Sequence, residues 1–268
     1  MWGLSTSIYA KANGILWQPS EVQDNTAFIG VSYATSSSGI NIGCSQLFDS
    51  TGAGMRMLMR KIVNPGFMGR KNPYMKADEA RAMLGALRAQ YYASTASTPL
   101  TRIVIHKTTP FTKEEIRGFT QAFEGIEDIE LLQIQEMTPW RAVRFYTDFN
   151  KGAYPYPIKR GTVCELDSNS FLLWTNGSVM HDDINPRGNY YKGGRGIPTP
   201  LYVKRFYGKG SGDTIVKEVL MLTKMNWNSG DTMYKTLPVT LDFAKVLSRM
   251  SKQTEALYDR AYDFRFFM

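Results

Sequence analysis

Residues 27–34, with the sequence AFIGVSYA, decide the fold that this chain is expected to adopt. The run is rich in β-branched and aromatic residues and has polar segments on both sides, which predicts a buried strand. A second run, RIVIHKTT at 102–109, has the same character and also ends in polar residues. A buried strand that ends in polar side chains commonly delivers them to a site at the edge of a sheet. The two runs therefore predict the centre of one sheet, with a functional site where they end.

The segments around these two strands predict an α/β order. Residues 40–49 follow a TSSSG turn and are expected to form the hairpin partner of the first strand. Residues 56–63 are a candidate third strand, and 64–74 are expected to be a loop. Residues 76–93 have helical spacing, with Ala80, Met83, Leu84, Leu87 and Tyr91 on one face.

A second helix is expected to begin after the second strand. Thr112 stands three residues before Glu115, which is the spacing of a capping box. A further strand is expected at 130–136. Strand, hairpin, helix, strand, helix and strand in this order predict a mixed sheet flanked by helices.

The second half of the chain reads as richer in strands. The strand-like runs are VRFYT at 143–147, TVCEL at 162–166, FLLWT at 171–175, LYVKRFY at 201–207 and IVKEVLMLTKMN at 215–226. Helices are expected at 239–250 and over 251–264. Residues 1–26 predict no complete element, so we expect a lead-in at 1–26 followed by one domain at 27–268.

Composition excludes several classes of protein. The chain of 268 residues has no apolar run long enough for a membrane span and no signal-peptide pattern at its start. Its two cysteines are far apart and do not suggest a disulfide framework. We expect a cytoplasmic protein with no membrane contact.

The charge balance points to a polyanionic partner. The formal net charge is +8 and the sequence pI about 9.3. The surplus is concentrated between residues 151 and 209, where aromatic residues are interleaved with the basic ones. Cations for phosphates and rings for bases are what a nucleic-acid groove needs, although a basic surface with no partner has the same composition.

The order of these segments resembles a known family. The runs AFIGVSYA, TRIVIHKTTPFTKEEIRGF at 101–119, GIPTPLYVKRF at 196–206, LTKMNWNS at 222–229, LPVTLDFAKVL at 237–247 and the final FFM are similar to the PIWI domain of Argonaute proteins, most of all the short prokaryotic Argonautes. The segment at 2–19 also resembles the stretch by which those proteins enter PIWI. The resemblance implies a ribonuclease-H-like fold.

The same resemblance implies that the catalytic positions are vacated. Active PIWI domains hold two divalent cations with four side chains, mostly carboxylates. The matching places here are Ser32, Thr108, a position near Met75 or Lys76, and Lys245. Neutral oxygens and an ammonium do not suit hard cations, so we expect no target cleavage. His106 is expected to be packed or hydrogen-bonded rather than a metal ligand.

Two further expectations concern the ends of the chain. In many prokaryotic relatives the C-terminal carboxylate lies near the 5′ phosphate of the guide and helps to bind a divalent cation, so the carboxylate of Met268 is a candidate Mg²⁺ ligand there, and Arg249 a candidate phosphate contact. A MID domain precedes PIWI in the family. Because the matching segment begins at residue 2, we expect that this domain is on another polypeptide or missing, or that the chain is a fragment.

The favoured hypothesis is a catalytically inactive subunit that binds a guide RNA or DNA paired with its target. The target is expected to be single-stranded DNA. Short Argonautes of this kind are partnered with an APAZ-containing protein fused to a TIR, sirtuin or nuclease effector, which implies a heteromeric immune complex. The residues expected to contact nucleic acid are Lys151, Arg160, Lys192, Arg195, Lys204, Arg205, Lys209, Lys245 and Arg249.

Two alternatives stay open at this point. One is an active guide-directed nuclease with a different acid set, for example Glu79, Asp182, Asp183 and Asp242. The other is a structural subunit whose basic face has no ligand. Binding of nucleic acid that weakens steeply with salt would separate the favoured hypothesis from the last one.

Overall fold

A computed structural model describes residues 2–19, 22–36, 39–48, 56–62, 65–68, 72–94, 99–179, 196–227, 235–250, 261–263 and 265. Within these residues the chain forms a mixed sheet of nine strands with helices on both faces, and a separate two-stranded hairpin. The strands are β1 (Thr26–Ser36), β2 (Gly39–Phe48), β3 (Arg56–Ile62), β4 (Gly66–Met68), β5 (Asn72–Tyr74), β6 (Arg102–Lys107), β7 (Asp128–Gln135), β8 (Val163–Asp167), β9 (Ser170–Leu173), β10 (Leu201–Tyr207) and β11 (Ala261–Asp263). The α-helices are α1 (Trp2–Lys11), α2 (Ala77–Ser94), α3 (Lys113–Ala122), α4 (Gly212–Leu222) and α5 (Val239–Met250).

The centre of the sheet is parallel and its flanks are antiparallel. The strand order is β11-β3-β2-β1-β6-β7-β10-β9-β8, and β6 pairs in parallel with both β1 and β7. The three central strands therefore end at the same side of the sheet. We call this side the carboxyl edge, and the side where β6 and β7 begin the amino edge. This arrangement confirms that the runs at 27–34 and 102–109 are neighbouring central strands.

Alternating side chains of the central strands build one core on each face. Phe28 and Val104 face α4 and α5, whereas Ile29 and Ile105 face α2 and α3. All four side chains are fully buried. Strands covered on both faces read as nearly continuous apolar runs, which is why the sequence of β1 and β6 predicted their place.

Gly30 allows α5 to lie directly against β1. A Cβ atom at this position would stand 2.1 Å from the carbonyl oxygen of Thr240, a contact that no side chain tolerates. The glycine in the middle of a good strand sequence therefore marks a close approach between backbones. Because α5 is held here, its later residues reach the carboxyl edge.

The capping box predicted at the start of α3 is present. The Thr112 hydroxyl accepts a hydrogen bond from the Glu115 N–H, and the Glu115 carboxylate accepts one from the Thr112 N–H. The predicted apolar face of α2 is also buried throughout, from Ala80 to Tyr91. Local pattern and tertiary packing agree in this half of the molecule.

Several predicted elements are different in the structure. The run at 215–226 is helix α4 rather than a strand, because Ile215, Val219 and Leu222 recur at helical spacing and fill the core beneath it. The run at 143–147 forms only an isolated bridge between Phe145 and Ala153.

Three further differences concern short segments. The stretch 64–74, expected to be a loop, includes the β4–β5 hairpin. The lead-in at 1–26 contains helix α1, whose Ala10 joins the core. Of the predicted C-terminal helix, only 261–263 are described, and they form strand β11. The domain boundary at residue 26 stays a prediction.

Among the described residues, none of the helices has the length and apolar character required to cross a membrane.

Candidate functional site

The carboxyl edge collects the polar residues that follow β1, β6 and β7. Ser32 lies on β1, and its hydroxyl is 3.4 Å from the hydroxyl of Ser248 on α5. Thr108 follows β6 directly, and its carbonyl oxygen accepts a hydrogen bond from the side chain of Gln133. Ser32 on β1 and Thr108 directly after β6 thus lie at the same edge of the sheet. Their correspondence to catalytic positions stays a prediction.

An ion pair between Lys245 and Glu136 lies at the same edge. The Lys245 ammonium donates to the Glu136 carboxylate over 2.6 Å, and each side chain is about one third exposed. Glu136 follows β7, the third parallel strand, and was not among the predicted site residues. Its position directly after a central strand was the available signal, since carboxyl ends of parallel strands meet at one edge.

The donor set at this edge does not fit a pair of divalent cations. Such cations require several carboxylate oxygens, but Ser32 and Thr108 offer neutral oxygens and Glu136 is neutralised by Lys245. In the part of the chain that the structure describes, no three histidine, cysteine or acidic residues are placed to hold a metal ion.

Two residues of the alternative acid set can be placed, and they lie apart. Glu79 is on α2 and Asp242 on α5, which pack on opposite faces of the sheet. The Asp242 carboxylate accepts a hydrogen bond from the Asn226 side chain. Asp182 and Asp183 lie outside the described residues.

Beneath the edge, a fully buried ion pair joins β6 to α3. The Lys107 ammonium lies 2.5 Å from the Glu115 carboxylate, which also accepts a hydrogen bond from the Tyr33 hydroxyl at 2.6 Å. Burial lowers the pKa of Lys107, and the charge of Glu115 opposes this shift. Both charges are compensated within the protein, so this lysine is a structural support of the edge.

His106 is packed and hydrogen-bonded, as expected. It is completely buried, and its Nδ1 lies 2.9 Å from the Thr240 hydroxyl on α5. Burial, with a smaller effect from the charge of Arg102, lowers the pKa of His106 to about 3. The imidazole is therefore neutral near pH 7 and carries no charge to the site.

The predicted nucleic-acid contacts that the structure describes lie on different parts of the sheet. Lys245 and the exposed Arg249 are on the last turns of α5 at the carboxyl edge, whereas the exposed Lys209 follows β10 at the amino edge. Lys204 lies between them on β10, half-buried, with its ammonium 5.5 Å from the centre of the Phe206 ring.

Arg205 is engaged in a buried salt bridge. Its Nε lies 3.0 Å from the carboxylate of Glu130, and its Nη2 donates to the Gly210 carbonyl at 2.5 Å. The Arg205 side chain is only 9% exposed. Contrary to the expectation from sequence, this guanidinium is not available to phosphate.

The remaining predicted contacts have mixed environments. Arg160 is half-buried and donates to the Thr175 carbonyl and the Thr223 hydroxyl, so it ties two segments together rather than pointing into solvent. Lys151 is exposed in the segment between β7 and β8. Lys192, Arg195 and Met268 lie outside the described residues.

A small polar cavity lies near the end of the described chain. It has a volume of about 410 Å³ and is lined by Lys11, Asn13, Asp263 and Arg265. The Arg265 guanidinium donates to the Asn13 side chain at 2.8 Å. The Arg265 guanidinium also lies 3.7 Å from the Asp263 carboxylate, so the charges of the cavity are partly balanced within the protein.

Comparison with solved structures identifies the fold. Clostridium butyricum Argonaute bound to a guide DNA and a 19-mer target DNA matches with a TM-score of 0.71 and 17% identity, over 99% of this chain and 32% of that chain. Aquifex aeolicus Argonaute matches with a TM-score of 0.67 and 16% identity, over 99% and 34%. The structure of Aa-Ago with externally bound siRNA has a TM-score of 0.64 and 16% identity, over 99% and 33%.

The chain has the fold of an Argonaute PIWI domain. The predicted ribonuclease-H-like architecture is therefore confirmed, and the chain spans about one third of the length of these Argonautes. No protein-family model matches the sequence, and no curated protein matches it closely enough to be counted as a relative.

Proposed function

We propose that this chain is the nucleic-acid-binding part of an Argonaute-type assembly. In this proposal it holds a guide strand paired with its target, does not cleave the target, and passes recognition on to an associated effector protein. The proposal is supported by the PIWI-like fold and by the net charge of +8. One of the matched structures, that of Clostridium butyricum Argonaute, contains a guide DNA and a target DNA.

The Lys245–Glu136 ion pair is the observation on which the non-cleaving part of the proposal depends. It stands at the edge where active enzymes of this fold need a cluster of carboxylates. An ammonium repels divalent cations, and two unit charges 4 Å apart interact by about 1 kcal/mol even in bulk water. With Ser32 and Thr108 supplying only hydroxyls, the edge favours a phosphate over a metal ion.

A duplex is a suitable ligand because its backbone needs cations rather than a specific set of side chains. When sequence is read by base pairing, the protein only has to recognise the phosphates and the shape of the duplex. Lys245, Arg249 and Lys151 supply cations at the carboxyl side of the sheet, and Lys204 is the nearest candidate on β10.

A cleavage assay tests the proposal that this chain does not cut the target. The chain, purified with whatever proteins accompany it, is mixed with a guide, a labelled matched target, and Mg²⁺ or Mn²⁺. We expect the target to remain intact while it binds. Cuts at a fixed distance from the guide end, lost when the guide is mismatched, would contradict the proposal and support the alternative nuclease.

Binding itself is tested by the salt dependence of affinity. Fluorescence anisotropy with a labelled guide–target duplex should give a Kd that rises steeply between 50 and 200 mM salt, because each neutralised phosphate releases counterions. Affinity that is absent, or independent of salt, would favour the structural-subunit alternative.

The proposed partners extend the same hypothesis. They are a MID-type domain for the guide 5′ phosphate and an APAZ-containing effector of the TIR, sirtuin or nuclease type. A Mg²⁺ ion at that phosphate, held in part by the Met268 carboxylate, is proposed with them.

Residues added after Met268 should weaken binding of a 5′-phosphorylated guide more than that of a 5′-hydroxyl guide. Equal effects on both guides would count against the carboxylate.

Identification of the co-purifying proteins tests the proposal that target recognition is passed on to an effector protein. We expect affinity purification from the host to recover an effector-bearing protein and short nucleic acids in the same complex. Recovery of the nucleic acids without any second protein would contradict the relay while leaving duplex binding intact.

A further inference from the structure

The segment at 137–160 leaves the carboxyl edge directly after Glu136 and has an unusual composition. It contains five basic residues and one acidic residue, Asp148, and it is rich in aromatic side chains. Its regular structure consists of one short 3₁₀ turn, the bridge between Phe145 and Ala153, and a bridge from Lys159 to Ser178. A basic and aromatic segment with little regular structure, beside the candidate site, indicates a surface that binds a ligand.

Two large rings of this segment are exposed to solvent. Trp140 is 51% exposed and Phe145 56% exposed, whereas most large apolar side chains of the described chain are buried. The two rings are five residues apart in one basic segment, and aromatic rings combined with basic residues are typical of surfaces that bind single strands. The rings are therefore candidates for contact with a partner.

The protein holds this segment in a defined shape. Arg141 Nη1 donates to the carbonyl oxygens of Thr138 and Trp140, at 2.8 and 2.7 Å. The Thr138 hydroxyl donates to the carbonyl of Pro200, directly before β10. These bonds hold the backbone around Trp140 against the edge of the sheet. The Trp140 ring is therefore exposed from a fixed backbone.

A cluster of two rings and a guanidinium involves the neighbours of Phe145 in the sequence, and its two rings meet edge to face. The Arg144 guanidinium lies 4.3 Å from the centre of the Tyr154 ring, and the Tyr154 and Tyr146 rings are 4.8 Å apart. Arg144 Nη1 also donates to the Ser178 hydroxyl at 3.2 Å. The arrangement combines flat faces with positive charge, which suits nucleobases joined by phosphates.

Charge and ring exposure together favour nucleic acid that is not paired. The bases of a duplex are stacked on one another, whereas unpaired bases can leave the stack and lie on aromatic side chains. A protein partner would also use exposed rings, but the exposed cations Arg141, Lys151 and Lys159 face only one acidic residue in the segment, which suits a polyanion better.

We propose that Trp140 and Phe145 form a stacking platform for unpaired nucleotides, with Arg141, Arg144 and Lys151 close to their phosphates. The platform rests on the proposed function, since it receives a strand that continues beyond the duplex. Trp140 follows Glu136 by four residues, so their Cα atoms lie at most about 14 Å apart, roughly four stacked nucleotides.

The test compares a blunt guide–target duplex with the same duplex carrying an unpaired tail of about six nucleotides. We expect the wild-type protein to bind the tailed duplex more tightly. Trp140→Leu should weaken tailed binding about tenfold and leave blunt-duplex binding unchanged, because stacking on an aromatic ring is lost. Trp140→Phe should retain most of the preference, and Phe145→Leu tests the second ring independently.

The matched control is Tyr207→Leu, which removes a ring that is 45% exposed at the end of β10, on the amino edge. It should leave both affinities unchanged. A 2-aminopurine base in the tail reports stacking directly, and its fluorescence should be quenched by wild-type protein and less by Trp140→Leu.

The outcomes distinguish the platform from the proposed function. Salt-dependent binding of the blunt duplex without a preference for the tail would overturn the platform alone. Failure to bind either ligand would overturn both. If Trp140→Leu releases a co-purifying protein and leaves tail binding within twofold of wild type, the surface is a protein-docking site and the platform is wrong.

Discussion

The two edges of the sheet use charged residues in opposite ways. At the amino edge, Arg102 is 2% exposed and makes a bidentate pair with Glu218 and a 2.7 Å salt bridge with Asp128. At the carboxyl edge, Lys245 pairs with Glu136 while both remain about one third exposed. The first arrangement holds the fold together, whereas the second is accessible to solvent, so a phosphate can compete with Glu136 for the Lys245 ammonium.

The amino-edge network continues through β7 and β10. Glu130 is completely buried and accepts from the Gly210 N–H at 2.6 Å while it pairs with Arg205. Burial raises the pKa values of Glu130 and Glu218, and hydrogen bonds and their arginine partners oppose the shifts. Basic residues that look equivalent in the sequence therefore have different roles, and a count of them overestimates the binding surface.

The largest expected effect comes from breaking the amino-edge network. Arg102→Met should destabilise the protein by about 3–5 kcal/mol, because it leaves the buried Glu218 carboxylate without its partner. Urea denaturation followed by circular dichroism measures the loss. The double variant Arg102→Met with Glu218→Leu should lose less, since it removes both charges. A double variant that is no more stable than Arg102→Met would show that packing, not charge, accounts for the cost.

The position of the carboxyl edge depends on the contact between Gly30 and α5. Gly30→Ala should cost about 1–3 kcal/mol, because the new methyl group meets the Thr240 backbone. Gly85→Ala is the matched control, since a Cβ at Gly85 on α2 meets nothing within 4 Å and alanine favours a helix. Thermal unfolding should rank Gly85→Ala above wild type and Gly30→Ala below it. The opposite ranking would mean that α5 does not approach β1 this closely.

The buried His106 predicts a loss of stability in acid. Below pH 6.5 the unfolded chain binds a proton at this residue, whereas the folded protein does not until about pH 3. This difference lowers the free energy of unfolding by about 1.4 kcal/mol per pH unit as the pH falls. Above pH 6.5 the histidine is neutral in both states and contributes no such slope.

The variant His106→Asn separates the contribution of His106 to this pH dependence from that of the aspartates and glutamates of the protein. The advantage of wild type over the variant in urea denaturation should shrink steadily from pH 6.5 to pH 4.5. An advantage that stays constant over this range would refute a strongly lowered pKa for His106.

The smallest expected effect compares one lysine from each edge. Lys245→Met should reduce the slope of log Kd against log salt for duplex binding by about one, the value for one lost phosphate contact. Lys209→Met, at the amino edge, should leave the slope unchanged. If the two variants have equal slopes, the duplex does not lie at the carboxyl edge.

Elements set by local pattern were predictable from the sequence. The apolar runs of β1 and β6, the buried face of α2 and the capping box at Thr112 all appear where they were expected. The run at 215–226 was misjudged because it is apolar enough for either a strand or a helix, and only the core beneath α4 selects the helical spacing.

Residue roles at the site were only partly predictable. Ser32 and Thr108 were expected at one edge because they lie toward the ends of two neighbouring strands. The roles of Lys204 and Arg205 could not be predicted, because these adjacent residues point to opposite faces of the sheet. Whether a cation faces solvent or a buried carboxylate is decided by residues far away along the chain, here Glu130.

The sequence by itself determined the central strands, the flanking helices, the positive charge and the absence of carboxylates at Ser32 and Thr108, because each of these is a property of a short stretch. Only the tertiary structure decided which charges are neutralised. It brought Glu136 to Lys245 across 109 positions and buried Arg102 against Glu218 across 116. Pairing of this kind depends on distances through space, which the packing of helices on the sheet sets and which no local pattern encodes.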